Sequence, residues 1–357
     1  MIIGLIGLPN SGKTTIFNAL TGSDVETASY SSAKVEPNQA MVEVKDERMT
    51  ALSKLYKPKK TIYATINVMD FVGMAKDSSE KSNSIPDETI RLMKNVDALT
   101  VVLQNFENEL GENGNGLDDI NSLVEELSFS DLMLVEKRFE KIEHMIKRGQ
   151  KTNELVREQK VLEKILERLN NGDSLNDLEI TPDDEKLIRG FQLFLLKPIL
   201  VILNSDENSY GKNQKLLDEL SKEYTTVEFA GKFEMELNQI DDKDEVEMFM
   251  EDIGITESAQ IKLTKSSYEL LGNISFFTVG EDEVRAWTIV NGSTAPQAAG
   301  AIHTDLERGF IRAECFSYEN IMKHGSEKSL KENGLFKLEG KDYIVKDGDI
   351  LSIRFNV

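Results

Sequence analysis

The sequence predicts an α/β fold with a largely parallel sheet, interrupted by an antiparallel α-helical hairpin and followed by a small α+β module. Three observations carry this reading. Short apolar, β-branched segments alternate with helical or polar sequence up to about residue 230. A glycine-rich loop of the form G-x-x-x-x-G-K-[ST] follows the first such segment. From about residue 131 the apolar residues change to spacings of three and four.

Taken in order, Ile2 to Ile6 is a buried-strand candidate, and Thr14 to Leu20 reads as a helix ending at Gly22, a suitable C-cap. Further strands are expected at Ala64 to Met69, Ala98 to Leu103, Ile199 to Leu203 and Thr226 to Phe229. Lys76 to Pro86 is polar and Ser-rich and reads as a mobile loop. Leu132, Val135, Phe139, Ile142 and Ile146, then Leu155, Leu162, Ile165 and Leu169, describe two coiled-coil arms turning near Gly149. Glu158 or Gln159 is a polar interruption, and the alternative is two amphipathic helices lying on the sheet. Ile240 to Asp252 reads as a solvated acidic helix. Short strands follow at Ile274 to Val279, Val284 to Val290, Tyr343 to Val345 and Ile350 to Phe355. The expected domains are therefore 1–130, a helical insert at 131–196, 197–274 as the return of the first domain, and 275–357.

Composition excludes several classes. A net charge of −21 argues against a general nucleic-acid binder, although a local basic patch or a protein surface on a ribonucleoprotein stays open. One cysteine, Cys315, and three histidines leave no cysteine-rich zinc site and no internal disulfide. No apolar run approaches the roughly 18 residues of a membrane span. A cytoplasmic setting, no membrane partner and a monomer are the expectations.

The chemistry concentrates in Gly7-Leu8-Pro9-Asn10-Ser11-Gly12-Lys13-Thr14, followed by Thr15. In such a loop the backbone N–H groups of residues 8 to 14 turn onto phosphate oxygens, Lys13 reaches the β- and γ-phosphates, and the Thr14 hydroxyl ligates Mg²⁺. The helix N-terminus adds favourable polarity. Asp70-Phe71-Val72-Gly73 ends a strand, as the Mg²⁺-holding Asp and γ-phosphate-sensing Gly of a switch would. Asn204-Ser205-Asp206-Glu207 ends another, where an Asn-Lys-x-Asp would read guanine. Ser205 and Glu207 fit guanine poorly.

With these motifs, the chain resembles the YchF family of Obg-like ATPases, P-loop NTPases of the translation-factor class. The resemblance covers nearly the whole chain. It rests on the phosphate loop, Val35-Glu36-Pro37-Asn38, Lys57-Pro58-Lys59-Lys60, Asp70 to Gly73, Val135-Glu136-Lys137-Arg138, Lys197-Pro198 and the Asn-x-x-Glu at 204 to 207. The block from Phe276 to Glu314, with Thr294-Ala295-Pro296-Gln297 and Ile302-His303-Thr304-Asp305, looks like a TGS domain, a β-grasp fold. The resemblance implies a GTPase-like P-loop domain, ATP preferred to GTP as substrate, and a ribosome or ribosomal subunit as partner. It implies a base pocket lined by Asn204, Glu207, Ala230 and Gly231, and a hydrophobic residue, Met74, in place of the switch glutamine. An Asn at the position of Asn10 helps hold K⁺ in some related NTPases; the alternative is a loop-stabilising role.

The departures from the family pattern cluster around the γ-phosphate. Lys34 stands where the family carries the first-switch Thr. Lys76 to Asn83 replaces a glycine-rich loop, and no histidine precedes His144. Lys13 and Gly73 remain as catalytic candidates, with Thr14 and Asp70 for the metal. The expectation is a slow ATPase and translation-associated switch. The alternative is a non-catalytic nucleotide-binding adaptor that grips a partner through the coiled coil and the TGS domain. His303 and Asp305 read as structural, and Cys315 as a buried apolar residue.

Overall fold

The computed structural model describes residues 1–23, 25, 37–71, 85–108 and 111–356. In chain order the first elements are β1 (Ile2–Ile6), α1 (Lys13–Thr21), β2 (Asn38–Glu43), α2 (Glu47–Tyr56), β3 (Lys60–Ile62) and β4 (Thr65–Asp70). Next come α3 (Asp87–Met93), β5 (Ala98–Asn105), α4 (Gly116–Lys147), α5 (Asn153–Asn171), α6 (Pro182–Ile188) and β6 (Ile199–Ser205). They are followed by α7 (Gln214–Leu220), β7 (Thr225–Phe229), α8 (Gly231–Leu237), α9 (Lys243–Ile253) and α10 (Ala259–Leu270). The chain continues through β8 (Asn273–Thr278), β9 (Glu283–Val290), α11 (Ala295–Ile302), α12 (Thr304–Arg308) and β10 (Phe310–Ser317). It finishes with α13 (Tyr318–His324), α14 (Glu327–Glu332), β11 (Lys337–Glu339) and β12 (Asp349–Phe355). Two compact units form: Met1–Ala40 with Asn67–Ala259, and Met41–Ile66 with Gln260–Val357.

The first unit holds a sheet in the order β2-β4-β1-β5-β6-β7. Strands β4, β1, β5, β6 and β7 pair in parallel. Leu5, Val101, Ile202 and Leu203 are wholly buried, which is why β1, β5 and β6 read as continuous apolar runs rather than alternating ones. The order reverses direction around β1, and parallel sheets carry their sites at the carboxyl ends of such strands.

Helix α4 is the main difference from the expected insert boundaries. It begins at Gly116, not near 131. Its first half buries Ile120, Leu123 and Leu127 in the sheet core, and its second half carries Val135 and Ile142 against α5. The same spacing of three and four serves both partners, so the sequence shows no break where the helix leaves the sheet. The chain turns at Gly149, with φ 85°, as expected. Leu162 and Ile165 are fully buried on α5. Each such side chain contributes about 1.5–3 kcal/mol by leaving water. The polar interruption is a paired one: Arg138 donates twice to the buried Glu158, at 2.7 Å and 2.7 Å. The return is tied down by Asp131, which accepts the N–H groups of Phe194 and Leu195 at 3.0 and 2.9 Å. Helix α9 buries no residue, in keeping with a solvated acidic face.

The second unit holds a sheet in the order β11-β10-β12-β8-β9-β3. Its boundaries also differ from those expected, because residues 41–66 and 260–274 join it. Strand β3 pairs in parallel with β9. Met49 and Leu52 of α2 share a core with Phe277, Val284 and Ile350. Arg48 then bonds Asp347 at 2.7 Å. Strands β2 and β3 were not anticipated because they are short, polar edge strands. Tyr343 to Val345 is no strand; it contributes a single bridge, Thr294 to Ile344. His303 caps α12 by accepting the Asp305 N–H, a structural role. Among the described residues no helix is long and apolar enough to cross a membrane.

Candidate functional site

Residues 7 to 12 leave β1 at its carboxyl end and enter α1 through backbone that only certain residues tolerate. Gly12 has φ 84° and Asn10 φ 65°. A Cβ at Gly7 would lie 2.6 Å from the Val102 carbonyl oxygen, and one at Gly12 would collide with Asn204 Nδ2. Both glycines of the motif are therefore required by close approach, and Gly12 by its dihedral angle as well. Ser11 Oγ is buried with no hydrogen-bond partner, a polar atom left over inside the loop.

Lys13 is nearly buried, and its Nζ donates to the Gly7 and Leu8 carbonyls at 3.0 Å each. Burial lowers its pKa to about 8, against the opposing pull of Asp70. Asp70 is also buried. Its Oδ2 accepts from Thr14 Oγ1 at 3.0 Å and from Asn38 Nδ2 at 3.3 Å. Burial raises the Asp70 carboxyl, while Thr14, Lys13 and Asn38 lower it.

Asn204 joins the loop to the other side of the site. Its Nδ2 donates to the Ser11 carbonyl at 3.0 Å, and its Oδ1 accepts the Gly231 N–H at 3.2 Å. A Cβ at Gly231 would lie 2.6 Å from Asn204 Oδ1, so a glycine here lets α8 approach. Ala230 is buried at the same helix start.

The fold thus brings Gly12, Lys13, Thr14, Asp70, Asn204 and Gly231 together. Glu207 is exposed on the turn after β6. Ser205 turns away from the loop and donates to Glu228 Oε1 at 2.6 Å. Gly73, Met74, Lys34 and Lys76 to Asn83 lie outside the described residues. Sequence reasoning gave no individual role to Asn38, although its motif was noted, and none to Phe106, whose ring lies 3.6 Å from a Cβ built at Gly12. Neither has a signature apart from the strand end that presents it.

The donor set fits a nucleoside triphosphate with a hard cation. The cradle is too tight for a Cβ, an ammonium points into it, and a hydroxyl and a carboxylate stand at its edge. Small divalent cations take one or two such oxygens beside substrate phosphates.

Two family models match the chain: "50S ribosome-binding GTPase" over residues 2–138, and the YchF GTPase C-terminal model, described as a protein of unknown function, over residues 273–356. The chain is 37% identical to "Ribosome-binding ATPase YchF" of Bacillus subtilis over 99% of both chains. It is 36% identical to the protein of the same name from Escherichia coli O157:H7, again over 99% of both. The solved "Structure of the Schizosaccharomyces pombe YchF GTPase" superposes with a TM-score of 0.84 at 29% identity, covering 99% of this chain and 97% of that one. With a phosphate loop built from β1 and α1 and whole-length identity of this order, the chain belongs to the YchF family, a P-loop GTPase-type domain joined to the family's C-terminal domain.

Proposed function

We propose that the chain is a Mg²⁺-dependent, ATP-preferring P-loop ATPase that hydrolyses slowly and acts as a ribosome-associated switch in the cytoplasm. The observation that carries this reading is the convergence of Lys13, Thr14 and Asp70 on one glycine-framed loop. Lys13 and the loop N–H groups stabilise charge on the transferring phosphoryl. Thr14 and Asp70 are the side chains that would hold Mg²⁺, which would supply positive charge against the phosphates. Asn204 holds the loop against the base side, and Glu207, Ala230 and Gly231 complete the base pocket.

Slow turnover follows from what the sequence lacks around the γ-phosphate. Met74 cannot orient water, and Lys34 cannot ligate a cation as a Thr hydroxyl does. Gly73 would sense the γ-phosphate through its N–H. Losing one well-placed group costs about 2.7–4 kcal/mol of barrier. The relatives' names, ATPase in bacteria and GTPase in yeast, support a triphosphate substrate and divide on the base. The names of the bacterial relatives support the ribosome as partner. ATP turnover by the purified chain, measured with and without ribosomes, is the test. Slow turnover that ribosomes change supports the switch. ATP binding with no turnover under either condition identifies a nucleotide-binding adaptor instead.

A further inference from the structure

The loop from 206 to 213, which carries Glu207, is fastened to the sheet from beneath by one carboxylate. Side chains alternate along β6, so Asn204 faces the phosphate loop and Ser205 faces the opposite way. There Ser205 Oγ receives Asn105 Nδ2 at 2.8 Å, from the residue paired with it on β5, and donates to Glu228 Oε1 on β7. Glu228 also accepts from Asn213 Nδ2 at 2.6 Å and from the Gly211 N–H at 3.2 Å. Asn213 reaches back to the Ser209 carbonyl at 2.7 Å, and Ser209 N–H is held by Asp206 at 2.7 Å. The loop is thus pinned at Ser205, Ser209, Gly211 and Asn213, and three of these bonds end on Glu228.

We propose that Glu228 is a positioning residue for nucleobase reading: by pinning residues 205 to 213 it sets where Glu207 is presented to the base. The inference rests on the nucleotide-site reading and deepens it. Hydrogen bonds to an ionised carboxylate are the strong ones, and three on one group over-determine the loop. Ser205 is thus a link in this network, and the loop that carries Glu207 is held from β7. The phosphate cradle shares none of these bonds, since Asn204 and Lys13 make it from the other face.

The two functions are therefore separable. Calorimetric titrations of the full chain with ATP, GTP and inorganic tripolyphosphate, each with Mg²⁺, test this. Glu228→Ala should weaken ATP by about tenfold and bring the ATP to GTP affinity ratio near one, with tripolyphosphate affinity held. Asn213→Ala removes one arm and should move the ratio the same way by less, so the test survives if Glu228→Ala folds poorly. A Glu228→Ala ratio equal to the wild type, or equal losses for ATP and tripolyphosphate, overturns the positioning role. Absence of ATP binding in the wild type would instead overturn the reading of the site itself.

Discussion

Thr14 Oγ1 donates to Asp70 Oδ2 at 3.0 Å, across 56 residues of sequence. The bond joins the start of α1 to the end of β4, and Asn38 donates to the same oxygen. A buried carboxylate held by two neutral donors is costly when charged, and the nearby Lys13 offsets part of that cost.

Asp70→Asn should therefore leave the nucleotide-free fold at least as stable, because burial disfavours the charged form. It should also lower Mg²⁺-supported turnover by about 100- to 1000-fold. Thermal melts with and without Mg²⁺-ATP, alongside turnover, check both halves. A strongly destabilised variant with intact turnover would contradict the assignment.

Lys13 titrates near 8 because it is buried. Phosphate needs the ammonium, so nucleotide affinity should be full below that pH and fall as pH rises through it. The fall approaches about tenfold per unit at the alkaline end. ATP titrations across this range should show the loss, and Lys13→Ala should abolish binding at every pH.

Asp131 has its carboxyl raised to about 6 by burial, against the N–H groups of Leu195 and Phe194. Its folded value lies above the ordinary 3.8, so the folded state holds the proton longer. Its contribution to stability is full below 3.8 and is lost as pH rises toward about 6. Asp131→Asn should flatten that part of the stability profile. Asp131→Ala leaves two buried N–H donors unmet, at about 1–3 kcal/mol each. Denaturant titrations at several pH values separate the two.

Lys34→Thr restores a hydroxyl at the first-switch position named by the sequence. Nucleotide binding should persist and single-turnover ATP hydrolysis in K⁺ buffer should rise. An unchanged rate would mean that another residue fills the switch.

The parallel sheet was legible because β1, β5 and β6 are buried on both faces and read as unbroken apolar runs. The phosphate loop was legible because its glycines answer to close approaches that no other residue permits. The start of α4 was not, since one apolar spacing serves the sheet at Leu123 and the hairpin at Val135. Nor was the membership of residues 41–66 in the second unit, which depends on β3 pairing with β9 some 220 residues away. In the site, Lys13, Thr14 and Asp70 could be named from motifs placed after strands, and Asn204 from its likeness to a GTPase base-reading segment. The contacts of Asn38 and Glu228 could not, because each joins residues far apart in the chain.

The central claim is a nucleoside triphosphate site that favours adenine. Calorimetric titration of the purified chain with ATP and with GTP, both with Mg²⁺ near neutral pH, tests it most directly. The account predicts ATP bound more tightly than GTP, with both lost in Lys13→Ala. A clear preference for GTP, or ATP binding that survives Lys13→Ala, would contradict it.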